Sequence, residues 1–343
     1  MKNPVRDYIG KPEQLFSVRE GRLSGGKADG VRFIEVDNGT GLNVTLLPDR
    51  CLDIYQVRLA GRSFNYLTAN GIAAPAYYSP FGEGWSDGFF GGFLFTCGLT
   101  NIGLKGDEGW ETEKEHGCIS NAPAQHVNLD YGEDGLSVVI SGTMHEGILG
   151  GANLLLTRKI ELRYGENTIR VTDTVKNDGC RPSPMMLLYH CNTGYPLLSE
   201  AAVLELPHLG QVRGRTPHAI RHEDSWQQID PPQDEYEERC YYFTPSPDET
   251  GWARAKLSNP EEGLSLEIAY DTATLDRFLQ WKNFVKGEYV MGLEPCNATL
   301  DGRTQARENG SLKILQPGEV KQHQLCFTLA QWNTNPEKGG QKA

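Results

Sequence analysis

The strongest constraint on this chain is a period of two. In "IELRYGENTIRVTDTV" (160–175) apolar and polar residues alternate on both sides of a Gly-Glu-Asn turn. That is the pattern of an antiparallel hairpin with one face on a core. "GLSVVISGTM" (135–144) and "NLLLTRKIEL" (153–162) precede it in the same style. "VRFIEVDNG" (31–39), "LNVTLLP" (42–48) and "LDIYQVRLAG" (52–61) lie upstream, and "LSLEIAYD" (264–271), "FLQWKNF" (278–284), "EYVMGLEPCNA" (288–298) and "KQHQLCFTLA" (321–330) lie downstream. The three upstream segments are each closed by Gly, Asn or Pro. No stretch has helical periodicity, and no short internal repeat suggests a propeller or solenoid. The expectation is all-β: one large antiparallel β-sandwich over residues 1–343, with no linker that splits it. Residues 1–30 read as an N-terminal extension with a short helix or an edge strand, and 333–343 as a frayed tail. The polar stretch 200–260 reads as long loops over the surface or the mouth of a site.

Composition narrows the function classes. The 343 residues suffice to bury a sizeable core. The 45 acidic against 33 basic residues give a net charge of −12. That argues against nucleic acid or an anionic membrane surface as partner. No apolar run approaches the ~18 residues of a membrane-spanning helix, and the first residues hold no apolar signal core. The eight cysteines are scattered without a CxxC pair, so they are expected as reduced thiols in the cytosol.

Candidate functional residues follow from position. "PSPMMLLYHCNTGYP" (182–196) begins as a strand buried on both faces and runs directly into His190, Cys191 and Asn192, with Gly194 and Pro196 behind. A histidine there is either a satisfied core residue or a side chain presented to a loop for chemistry. Glu294 has the same setting, after Gly292 and before Pro295. A histidine and a carboxylate facing one pocket make an acid–base pair. "YYSPFGEGWSDGFFGGFLFTCGLTNIG" (77–103) mixes aromatics with glycine. Phe93 and Phe95 read as core, whereas Trp85 and Asn101 beside turn glycines are candidate contacts to a sugar's C–H faces and hydroxyls. Trp281, Asn192 and Arg50, the last between Asp49 and Asp53, complete the candidate substrate contacts. Arg213, Arg215 and Arg221 do not by themselves establish a phosphate site.

The set "PDRCLDI" (48–54), "FFGGFLFTCGLTNIG" (89–103), "HGCISNAPA" (116–124), "LLYHCNTGYPLL" (187–198) and "GLEPCNA" (292–298) resembles the aldose 1-epimerase (galactose mutarotase-like) superfamily, in its DUF4432 branch. The resemblance implies a supersandwich fold with a sugar bound across a concave sheet. It implies His190 as general acid, Glu294 as general base and His116 as the second site histidine. Arg50 is a looser match, and "LTNIG" stands where the family has an asparagine–arginine segment. The implied reaction interconverts sugar anomers by ring opening and reclosure, with a monosaccharide or sugar derivative as substrate and no metal or other cofactor. A homodimer is compatible with this reading. On reference pKa values the glutamate is ionised at neutral pH, and a nearby carboxylate should raise the histidine so that it can act as an acid. Two other readings stay open: a metal-dependent sugar isomerase built on His116, His190 and Glu294, and a sugar-binding or sensing protein without turnover.

Overall fold

In the computed structural model, which describes residues 7–79, 84–108 and 111–334, the alternating segments become long antiparallel strands. Asn153–Arg163 pairs with Thr168–Asn177 from Leu154↔Asn177 to Glu161↔Arg170. The connecting turn carries Gly165 at φ 75°, a conformation that glycine adopts without steric cost. These two strands lie inside an eight-stranded sheet in the order Val203–Glu205, Trp252–Asn259, Leu264–Asp271, Val320–Gln331, Thr168–Asn177, Asn153–Arg163, Ser137–Gly147, Gln125–Tyr131. A six-stranded sheet runs Leu209–Gly214, Arg239–Pro245, Arg277–Val285, Glu288–Cys296, Met186–Thr193, Phe95–Leu99. The N-terminal strands Ser17–Arg22, Arg32–Asp37, Leu42–Leu47, Asp53–Leu59 and Arg62–Ser63 form a five-stranded meander. About 48% of the chain is strand against 10% helix, so the all-β reading holds.

One cluster of buried side chains draws on all three sheets, with Ile34 and Val44 from the meander, Val138 and Leu156 from the eight-stranded sheet, and Leu187 and Tyr189 from the six-stranded one. A second, smaller cluster lies on the other face of the six-stranded sheet and includes Phe95, Met186, Leu188 and Leu279. Met186–Thr193 is therefore buried along its whole length, with odd-numbered residues toward the main core and even-numbered ones toward the second cluster. This is the two-faced burial that its unbroken apolar run implies.

Two expectations change, and the N-terminal extension takes one of its two expected forms. Residues 200–260 are not all loop: Arg239–Pro245 and Trp252–Asn259 are sheet strands, their alternation hidden by the polar turns between them. Within the N-terminal extension, Ser17–Arg22 is an edge strand paired with Arg32–Asp37. His190 and Glu294 stand short of their strand ends, at Thr193 and Cys296. Of the expected frayed tail, residues 335–343 lie outside the described residues. All eight cysteines are free, and no helix among the described residues is long and apolar enough to cross a membrane.

The sheets are tied by one buried arginine. Arg158 donates to both oxygens of Asp173 at 2.9 and 2.7 Å, to Asp53 Oδ1 at 2.6 Å and to Thr96 Oγ1 at 2.8 Å. Tyr189 donates its hydroxyl to Asp173 Oδ2 at 2.9 Å, and the Thr96 amide donates to Asp53 Oδ2 at 3.0 Å. Arg158 and both aspartates are 0% exposed. Burial pushes Asp53 up to about 6, against the pull of Arg158 and Thr96. Removing one partner of such a cluster strands the rest in low dielectric. Arg158→Ala is expected to cost ~3–5 kcal/mol of unfolding free energy, read from urea midpoints at unchanged m-value. A loss under ~1 kcal/mol would place the cluster among the dispensable ion pairs.

Candidate active site

A cavity of about 510 Å³ lies on the second-cluster face of the six-stranded sheet. Strand register builds its floor. His190 is paired with Phe95 on one side. On the other, the pairs Leu188↔Cys296 and Asn192↔Gly292 bracket it, so Glu294 is its cross-strand neighbour. Glu294 pairs in turn with Leu279, and Gly292 with Trp281, which faces Cys240. A sequence separation of 294 − 190 = 104 residues thus closes to 3.5 Å between His190 Nε2 and Glu294 Oε1.

Loops supply the walls. Tyr66, Thr68 and Asn70 come from one, Trp85, Asp87 and Phe89 from the short helix Gly84–Gly88 and its exit, and Gly103, Leu104, Glu115 and His116 from another. His116 is hung by its backbone: its amide donates to the Gly103 carbonyl at 3.0 Å, and its carbonyl accepts from the Gly98 amide at 3.1 Å. Its φ of 50° is one that histidine tolerates better than most residues. Trp85 stacks over its ring with centroids 4.2 Å apart, and the His116 and His190 rings are 6.4 Å apart.

Of the residues singled out from sequence, His190, Glu294, His116, Trp85 and Trp281 line this one cavity. Arg50, Asn101 and Asn192 do not. Arg50 is 0% exposed and donates to the carbonyls of Ser120, Ala73 and Gly88. The Asn101 amide donates to the carbonyls of Leu104 and Lys114, and the Asn192 amide to those of Gly91, Gly92 and His190. All three are loop anchors: buried carbonyls need donors, and long polar side chains reach them. The expected sugar contacts at these positions are therefore corrected to structural ones. Sequence reasoning missed Arg215 and Glu238, both on the wall. They lie in the polar stretch taken for loops, where nothing in the pattern separates them from surface charges. Arg215 makes no ion pair with a carboxylate among the described residues and lies against the Cys240 thiol.

The electrostatics depart from expectation. His190 is 4% exposed and Glu294 1%, and at that depth desolvation outweighs their attraction. Burial, reinforced by His116, lowers His190 to about 3. Burial and the Arg215 charge lower His116 to about 4. Burial, reinforced by Glu238, raises Glu294 well above the usual carboxylate range. Burial thus favours the neutral imidazole and shifts the carboxyl toward its protonated form, against the charged pair expected from reference values. The 3.5 Å gap is too long for a strong hydrogen bond. Trp85 Nε1, His116 Nδ1, His190 Nδ1 and Glu294 Oε1 have no hydrogen-bond partner among the described residues. Buried polar atoms are rarely left this way, and here four belong to residues around one cavity. Among the described residues no three His, Cys, Asp or Glu side chains converge as a metal site would need, so His116, His190 and Glu294 do not form the ligand set weighed above.

The DUF4432 family, described as "Domain of unknown function (DUF4432)", matches residues 28–329. Among solved structures, a candidate aldose 1-epimerase from Klebsiella pneumoniae subsp. pneumoniae MGH 78578 is 25% identical, with 92% of this chain and 83% of that one covered at a TM-score of 0.86. A galactose mutarotase-like protein from Clostridium acetobutylicum is 12% identical over 93% of this chain and 100% of its own, at 0.65. Galactose 1-epimerase from Lactobacillus acidophilus NCFM is 14% identical over 93% and 100%, at 0.59. The last two likenesses speak to fold alone: a galactose mutarotase-like β-sandwich. No curated protein matches the sequence.

The lowered histidines make stability depend on pH. Each is neutral when folded, whereas the unfolded chain takes up its proton near 6.5. Between about 4 and 6.5 the unfolded state binds more protons, so their stabilisation is present above 6.5 and is lost as pH falls. Glu294 acts oppositely, retaining when folded a proton that the unfolded chain releases above its ordinary value. His116→Asn and His190→Asn should each flatten the acid limb of unfolding free energy by up to ~1.4 kcal/mol per pH unit. Urea unfolding at a series of acid pH values measures this; slopes equal to wild type would mean that the histidines are charged in the folded protein.

Proposed function

This chain belongs to the DUF4432 family, and we propose that its cavity interconverts the anomers of a sugar by acid–base ring opening and reclosure, with His190 and Glu294 as the proton carriers. The observation that carries this is the buried His190–Glu294 pair at 3.5 Å, in a cavity lined by Trp85, Phe89 and Trp281. Flat aromatic faces suit a sugar's C–H surfaces, and the unpartnered polar atoms suit its hydroxyls. The names carried by fold neighbours add support, since they too refer to aldose epimerases.

Anomer exchange removes the proton from the O1 hydroxyl and delivers one to the ring oxygen O5. The C1–O5 bond breaks, the aldehyde turns about C1–C2, and O5 attacks its other face. The pair carries one proton throughout. With Glu294 as carboxylate and His190 as imidazolium, ring opening converts them to carboxyl and imidazole, and reclosure converts them back. Burial of both groups favours the neutral forms, and carboxyl with imidazole is the state that faces the open-chain aldehyde. No net proton enters or leaves over a cycle. His116, held by Trp85 and 6.4 Å from His190 ring to ring, is placed in this reading to orient the sugar. Arg215, which makes no ion pair with a carboxylate among the described residues, can offer two donors to adjacent hydroxyl oxygens. Trp281 is itself fixed by donating its indole N–H to Glu238 Oε2 at 2.9 Å.

Glu294→Gln and His190→Asn should each lower kcat by roughly 10²-fold or more while sugar still binds. His116→Asn and Arg215→Gln should act more on KM. The wild-type rate should show no break near pH 6.5, the ordinary histidine value, because burial lowers His190 to about 3. Polarimetry on freshly dissolved anomers, with the spontaneous rate subtracted, reads all of these. Full activity in folded Glu294→Gln would leave a sugar-binding protein as the better reading.

A further inference from the structure

Gly292 has no backbone reason to be glycine. It lies inside the strand Glu288–Cys296, and its φ is outside the left-handed region, so any residue could adopt it. Mid-strand glycine costs ~0.5–1 kcal/mol relative to alanine, so something must offset that. A single residue, Leu293, lies between it and Glu294, which puts both on the same face of the strand. Asn192 stands opposite it on one side and Trp281 on the other. A Cβ built on Gly292 would overlap Glu294 Oε1, with Glu294 Cδ at 3.1 Å and Trp281 Cβ at 3.3 Å. The carboxyl group itself fills the space that a side chain at 292 would take.

We propose that Gly292 is a positioning residue for the acid–base pair: its missing side chain lets Glu294 fold back along its own strand, beside Trp281, and so holds Oε1 against His190 Nε2. This rests on the function proposed above. With alanine at 292 the strand keeps its path, because the overlap falls on the tip of a flexible side chain. The carboxyl group must swing into the open cavity, away from His190. Geometry and desolvation would be lost together, since the same fold-back that aims the carboxyl group also takes it out of water.

The test is Gly292→Ala, read in two ways. Carbon NMR of the Glu294 carboxyl in the ligand-free protein should show its titration moving back toward an ordinary glutamate, with circular dichroism unchanged. This arm needs no turnover. An unshifted titration in a folded variant would overturn the proposal, whatever the enzyme does. The second reading is kcat, which should fall ~10- to 100-fold with a smaller change in KM. In a Glu294→Gln background the same change should lower kcat less than ~2-fold, because the group that it displaces is already inactive. Equal losses in both backgrounds would make Gly292 merely structural. A shifted titration in a protein whose wild type turns over no sugar would uphold the positioning and sink the proposed reaction alone. Should Gly292→Ala fail to fold, Gly292→Ala/Glu294→Ala decides. Recovery of folding would identify Glu294 as the obstruction, and continued unfolding would refute it.

Discussion

Arg158 is the interaction on which the rest of this structure leans. Its guanidinium reaches Asp53 in the meander, Asp173 in the eight-stranded sheet and Thr96 in the six-stranded sheet. Two carboxyl groups share one guanidinium in a fully buried space, and desolvation of that kind is repaid only when every partner is in place. The consequence for the cavity is direct. Tyr189, which donates to Asp173, immediately precedes His190, and Thr96 immediately follows Phe95, the strand partner of His190. The polar cluster on one face of the six-stranded sheet thereby fixes the strands that floor the cavity on the other. Arg50 does for the walls what Arg158 does for the floor, taking the carbonyls of Gly88 beside the Trp85 helix and Ser120 in the segment after His116.

Much of this was legible in the chain, for a physical reason. Alternation encodes which face of a strand meets the core, so the sheets could be read. The continuous apolar run before His190 likewise announced a strand covered on both sides. Register extends the reading further than we took it. Arg158 stands in line with the inward Leu154, Leu156 and Ile160, and Asp173 with Ile169, Val171 and Val175. A charge in an inward position is a visible anomaly, and here two of them pair across adjacent strands. The short polar segments were harder. Arg50, Asn101 and Asn192 look the same in sequence whether they hold a ligand or a loop carbonyl, because the carbonyls that they satisfy belong to backbone that sequence does not display. Arg215 and Glu238 had no pattern around them at all.

Depth was the other invisible quantity. The types His and Glu suggested an acid and a base, and reference pKa values then assigned the charges. Those charges become unfavourable once both groups are nearly solvent-free, because the cost of a charge in low dielectric exceeds what one partner at 3.5 Å returns. Residue type announces which groups can exchange a proton, but the number of layers of protein above them decides where it rests.

The double burial of Met186–Thr193 also governs how the molecule breathes. A strand closed in by the main core on one side and the second aromatic cluster on the other has no local route to solvent. Its amide protons exchange with deuterium only when the whole domain opens. Tyr66, Asn70, Asp87 and Leu104, which rim the cavity from short connections, belong instead to the segments that fluctuate at small cost. His190 is thus mounted on a strand buried on both faces, while much of the cavity rim comes from short connections.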